Sequence, residues 1–79
     1  MITRDDLSFT ESEEKIIKAA ISVFVEKGFD GATMREIADR ASINKAALHY
    51  YFRSKDKLFE LIFNIIIKNM FTKLSGIID

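Results

Sequence analysis

Apolar residues return every three or four positions between residues 16 and 24. Ile16, Ile17, Ala20, Val23 and Phe24 recur at helical spacing and give an apolar stripe. That period fits one face of an α-helix, not the alternation of a strand. Just before it, Thr10-Glu11-Ser12-Glu13 has the form of a capping box, in which the threonine hydroxyl accepts from a backbone N–H and the glutamate reaches back. Lys27-Gly28-Phe29 stops the helix. Gly28 takes a left-handed backbone at the C-cap without penalty, and Phe29 folds back onto the last turn. A second box, Thr33-Met34-Arg35-Glu36, opens a short helix. Its buried side is Ile37, Ala38 and Ala41, leaving Arg35, Glu36, Asp39 and Arg40 to solvent. Ser42-Ile43-Asn44 interrupts it, and Asn44 caps a third segment from Lys45 to Tyr51, with Ala47, Leu48 and Phe52 available for packing. Ser54 caps a fourth helix, from Lys55 to about Leu74 or beyond, with Asp56 at the positive end of its dipole.

The expected fold is therefore all-α: a three-helix, homeodomain-like helix-turn-helix bundle followed by a long apolar fourth helix. Phe24, Phe29, Ile37, Leu48 and Phe52 are expected in the core, joined by Phe59 and Ile62. The fourth helix is apolar all round, from Leu58 and Phe59 through Ile65, Ile66 and Ile67 to Met70, Phe71 and Leu74. Three short helices cannot cover that much surface, and an exposed patch of this kind marks an interface. A further domain and a second copy of the chain are both open as covers.

Composition narrows the class. Seventy-nine residues make one domain with a thin stability margin. The absence of cysteine removes disulfides and thiolate zinc sites. A hydrophobic share of 48% excludes intrinsic disorder. The acidic, polar start, Met1 to Asp6, does not read as a signal peptide. The stretch from Leu58 to Ile67 is broken by Glu60 and Asn64 and is too short to span a bilayer. A cytoplasmic protein with no membrane partner is expected.

Net charge is zero, yet the charges are segregated. Residues 5 to 14 hold five acids and no base. Residues 33 to 57 hold six bases (Arg35, Arg40, Lys45, Arg53, Lys55, Lys57) against three acids, a distribution that permits nucleic-acid binding without establishing it.

Two short helices joined by the three-residue turn Ser42-Ile43-Asn44 have the spacing of a DNA-binding helix-turn-helix. Ala38 is small enough for close helix approach, Ile43 plugs the gap, and Leu48 anchors the second helix to the core. The opposite face then presents Lys45, Ala46, His49 and Tyr50. Phe24-Val-Glu-Lys-Gly-Phe29, Thr33-Met-Arg-Glu-Ile-Ala-Asp-Arg-Ala41, Ser42-Ile-Asn-Lys-Ala-Ala-Leu-His-Tyr-Tyr-Phe52 and Ser54-Lys-Asp-Lys-Leu58 together resemble the TetR family of bacterial transcriptional regulators, over roughly residues 10 to 60. The resemblance implies a homodimeric repressor that binds double-stranded DNA at a palindromic operator and is released by a small-molecule inducer. It also implies a ligand-binding and dimerising domain after Leu74, so that no inducer site falls in this chain. The resulting division is an N-terminal arm over 1–9, the helix-turn-helix domain over 10–55, and a fourth helix over 56–79 leading towards that further domain. Relatives often have glycine at the place of Ala46, threonine or serine at Ala47, tyrosine at His49 and histidine at Tyr51. The operator sequence therefore does not carry over.

Each candidate has a plainer competing role. Lys45 reaches a guanine edge or a phosphate, or is a solvated lysine. Ala46 touches a thymine methyl or allows close approach, or is simply a good helix former. His49 donates to a base edge or phosphate, or packs on a neighbour; one histidine without cysteine makes no metal site. Tyr50 and Tyr51 do not both face the groove at helical spacing. One reaches a phosphate while the other packs its ring, and the resemblance favours Tyr51 for the phosphate. Thr33 caps its helix and also meets a phosphate at the helix N-terminus. Arg35 lies at the groove edge or in a surface ion pair. Lys55 begins the fourth helix, where relatives contact the DNA backbone. No cofactor is expected. A lone His49 beside scattered serines makes no catalytic triad, so an enzyme is not expected either. The alternative is a truncated helical interaction module acting through the apolar fourth helix.

Overall fold

The structure, a computed structural model, describes the backbone of residues 9–78 and the side chains of residues 9–73. Of the arm expected over residues 1–9, all but Phe9 lies outside the described residues, as does the side chain of Leu74. The described residues form four helices and no strand: α1 (Glu11–Gly31), α2 (Met34–Arg40), α3 (Lys45–Tyr51) and α4 (Lys55–Ile78).

The box at the head of α1 closes in both directions. Glu13 N–H donates to Thr10 Oγ1 at 3.1 Å, and Thr10 N–H donates to Glu13 Oε1 at 2.8 Å. Glu11, Glu13 and Glu14 put negative charge on the positive end of the helix dipole. The regular path breaks at Gly28, with φ 75° and ψ 172°, before one more turn to Gly31. The positive φ is as expected, whereas ψ is extended and not left-handed helical; that corner of backbone space is essentially reserved for glycine. A Cβ at Gly28 would meet nothing within 4 Å, so conformation and not space requires the glycine. The break turns the Phe29 ring back against Phe24, with centroids 6.1 Å apart.

At α2 only half of the expected box forms. Glu36 N–H donates to Thr33 Oγ1 at 3.1 Å, but the Glu36 carboxylate goes to Lys27 at 2.7 Å and Arg40 at 3.0 Å. Two cations outbid one backbone N–H for a carboxylate, because charge-assisted bonds are the stronger. The end of α2 is a Schellman turn. Ile43 N–H donates to Ala38 O at 3.0 Å, Ser42 N–H donates to Asp39 O at 3.1 Å, and Ser42 takes the left-handed position with φ 61°. Asn44 caps α3 by accepting from Ala47 N–H at 2.7 Å, and Ser54 caps α4 by accepting from Lys57 N–H at 3.1 Å.

The core lies where α1 meets α2 and α4, with α3 anchored from beyond α2. Ile16 and Val23 of α1, Ile37 of α2, Leu48 of α3 and Leu58 of α4 are fully enclosed. Ile62 is buried as expected, while Phe24 and Phe52 are only partly buried against the core. Phe29 is likewise only partly buried. Phe59 departs from the expectation: it is 38% exposed. Leu58 and Ile62, four positions apart, form the stripe facing the core, and Phe59 lies about 100° round the helix from Leu58. Its ring therefore sits on the rim, edge-on to Phe24 at 5.2 Å and Phe29 at 5.0 Å.

Candidate nucleic-acid interface

Leu48 settles which way α3 faces. With that side chain fully enclosed, Lys45, Ala46, His49 and Tyr50 stand exposed on the other side. Lys45 and His49 are four positions apart, as are Ala46 and Tyr50, so each pair shares one strip of the helix surface. The strip holds a flexible cation, a methyl group, an imidazole and a phenol: donors of different reach around a place where a backbone can come close.

The His49 ring is oriented from behind. Nδ1 lies 3.1 Å from the Arg53 carbonyl oxygen. A carbonyl only accepts, so Nδ1 carries the proton and Nε2 is left for an outside partner, accepting when the ring is neutral and donating when it is cationic. Tyr50 is 84% exposed and Tyr51 38%, and their rings meet edge-on at 5.4 Å. The two tyrosines thus pack on each other, and Tyr50 is the freer.

Thr33 and Arg35 form a second group on α2, where both are exposed and line a shallow concavity with Glu36, Asp39 and Arg40. Thr33 caps the helix. Arg40 is not available to a ligand in this arrangement, because it ties α2 to α1 through Ser22 Oγ at 2.8 Å, Glu26 at 2.8 Å and Glu36 at 3.0 Å. The hydrogen bond and charge of Arg40 hold the Glu26 carboxyl below the usual glutamate range, with a smaller pull from Lys27. Glu36 is held low as well, first by its hydrogen bond from Lys27 and then by Arg40. Among the described residues Arg35, Lys45, Arg53 and Lys57 enter no ion pair.

Lys55 stands apart from both groups. Its ammonium donates to Phe29 O at 2.7 Å and Ala32 O at 3.1 Å and lies 4.3 Å from the centre of the Phe29 ring. The structure places it against the end of α1, not on the exposed strip of α3. Two residues beside these groups are not among the candidates read from the sequence. Arg53 supplies the carbonyl that orients His49, a position visible in its spacing of four from the histidine. Lys57 adds an exposed cation in the first turn of α4.

Among the described residues no group of three histidines or carboxylates could hold a metal ion. No helix there is long and apolar enough to cross a membrane. No buried side-chain nitrogen or oxygen among them lacks a partner, so no enclosed polar group is held in reserve for a small ligand.

Residues 16–62 match the family profile of the bacterial regulatory proteins of the tetR family. The chain is 48% identical over 48 residues to IcaR of Staphylococcus aureus (strain Newman), named as an HTH-type negative transcriptional regulator of the biofilm operon icaADBC. That match covers 61% of this chain and 26% of IcaR. It is 45% identical over 49 residues to the HTH-type protein YttP of Bacillus subtilis (strain 168), covering 62% of this chain and 24% of YttP. The chain thus spans about a quarter of the length of these relatives. The crystal structure of a mutant HlyIIR protein superposes with a TM-score of 0.65 at 35% identity, over 78% of this chain and 31% of that one.

Proposed function

Since the chain belongs to the tetR family of bacterial regulatory proteins, we propose that it is a sequence-specific DNA-binding transcriptional regulator that docks α3 in the major groove. The observation that carries this reading is the sidedness of α3: Leu48 is locked inward while Lys45, Ala46, His49 and Tyr50 stand outward with no internal ion pair on Lys45. A recognition helix needs one face fixed to a rigid core and the other free for base edges.

Lys45, at the head of α3, reaches a guanine edge or a phosphate. Ala46 allows the backbone near the bases, and His49 presents Nε2 to a base edge or phosphate. One of Tyr50 and Tyr51 supplies a hydroxyl for a phosphate beside the groove while the other packs against its ring. Thr33 and Arg35, at the head of α2, meet the DNA backbone on the other side of the turn. Repression is the sense of regulation that IcaR's name supports. A palindromic operator read by two copies, an inducer held by a further domain, and action in the cytoplasm complete the proposal. No residue is assigned to catalysis.

A second reading rests on a separate observation. Phe63, Ile66, Ile67, Met70 and Phe71 of α4 are all about half exposed or more. In that reading the chain is a helical interaction module whose working surface is α4.

Fluorescence anisotropy of a labelled pool of palindromic duplexes, at two salt concentrations, separates the readings. Selective binding that weakens with salt and disappears in Lys45→Glu is the expected result. No binding by a folded, monodisperse wild type transfers the function to α4.

A further inference from the structure

We propose that His49 is a specificity-determining residue: its neutral imidazole, turned by the Arg53 carbonyl, accepts at Nε2 from the exocyclic amino group of an adenine or a cytosine in the major groove. The inference rests on the DNA-reading function above and deepens it by naming the class of base.

The hydrogen-bonding roles on the exposed strip of α3 are unequal. The Lys45 ammonium only donates, the Ala46 methyl does neither, and the Tyr50 hydroxyl does both. His49 differs from all three. Its Nδ1 lies 3.1 Å from Arg53 O, and in the neutral ring that carbonyl accepts from the one N–H there is. Nε2 then holds a bare lone pair, on an exposed residue whose neighbour Leu48 is fully enclosed.

DNA offers such a lone pair few partners. Phosphate oxygens carry no hydrogen, so a neutral Nε2 gains nothing from them. Along the major groove the donors on base edges are the N6 amino group of adenine and the N4 amino group of cytosine. Guanine shows N7 and O6 there, and thymine shows O4 and its methyl group. Two acceptors brought face to face lose their water and find no replacement. His49 therefore favours an amino base at the place it faces and rejects a guanine or thymine. Every base pair carries its amino group on one strand and a carbonyl on the other. The selection is thus one of orientation, because reversing the pair puts a carbonyl where the amino group stood. Lys45, four positions earlier on the same strip, has the opposite preference.

The wild type and His49→Ala are each used to select duplexes from the palindromic pool, in a buffer alkaline enough to keep an imidazole neutral. Wild-type selection is expected to hold one half-site position to adenine or cytosine on one strand. His49→Ala is expected to release that position and keep the others. On one selected duplex, reversing that base pair in both half-sites weakens the wild type about tenfold and His49→Ala less than about twofold. Equal penalties in the two proteins, or release of a position held to guanine or thymine, overturn the proposal. A substitution that relaxes no position and lowers the slope of log affinity against log salt marks a phosphate contact and overturns it too.

Nuclear magnetic resonance of the wild type gives a second readout. His49 is the one histidine of the chain, so its ring nitrogen signals need no assignment. The free protein is expected to show the proton on Nδ1, and the complex with the selected duplex to keep it there while the Nε2 signal shifts. A proton on Nε2 in the complex overturns the proposal. This measurement needs no variant, so it stands even where His49→Ala fails to fold. A wild type that binds no duplex removes the DNA function and this contact together. Selection of the same sequence by the wild type and His49→Ala removes the contact alone.

Discussion

Ser42 is the non-glycine residue with a positive φ among those described, at 61°, and it occupies the left-handed position of the turn between α2 and α3. A Cβ in that conformation costs about 1–2 kcal/mol, while glycine adds freedom to the unfolded chain worth about 0.4–1 kcal/mol. The first effect is the larger. Ser42→Gly should stabilise the chain by about 0.5 kcal/mol, measured by chemical denaturation, with DNA affinity unchanged. Leu48 works in the opposite sense. It is fully enclosed and is the buried anchor of α3. Leu48→Ala should cost about 2–5 kcal/mol and lower DNA affinity through loss of folded protein. The sequence announces both positions, the first as a break between two apolar periods and the second as the large apolar residue between the polar Lys45 and His49 and the core-side Phe52. What it does not announce is that a serine, without the help of glycine, holds the left-handed site. That depends on the Schellman bonds from Ser42 and Ile43 back into α2.

Helix termini are where the chain speaks most clearly. Thr10, Thr33, Asn44 and Ser54 each cap the helix expected of them, because a cap and the N–H it satisfies lie within three residues of each other. The contacts between helices are less legible. Glu36 belongs by spacing to a box with Thr33, yet it binds Lys27 nine positions away, and Lys55 binds the end of α1. Neither partner is visible until α2 and α4 are packed on α1. The joint between those two helices has a pH dependence whose sign is fixed. Glu26 and Glu36 titrate below the usual glutamate range when folded. Their contribution is therefore complete above the unfolded glutamate value and is lost as pH falls through the lower folded values. Acid unfolding followed by circular dichroism should show that limb in the wild type. It should be shallower in Arg40→Gln, which starts from a lower stability at neutral pH because Glu26 and Ser22 also lose their partner.

Across the whole molecule, α4 divides the apolar residues into those that build the fold and those that do not. Leu58 is fully enclosed and Ile62 nearly so, whereas Phe63 is 53% and Phe71 67% exposed. Hydropathy alone ranks these four alike; only the direction in which α1 lies separates them, and this is why Phe59 was expected inside and is found on the rim. Leu58→Ala should cost about 2–5 kcal/mol by chemical denaturation. Phe63→Ser and Phe71→Ser should change stability by no more than about 0.5 kcal/mol in the same measurement. A larger loss at Phe71 would show that the exposed face is covered in solution. The pairing of Tyr50 with Tyr51 has a consequence of an optical kind. The chain has two tyrosines and no tryptophan, and both tyrosines lie side by side on α3. Its tyrosine emission, excited beyond the phenylalanine band, therefore originates wholly from the helix proposed to enter the groove, so the unlabelled protein carries its own lamp at the place where DNA would arrive.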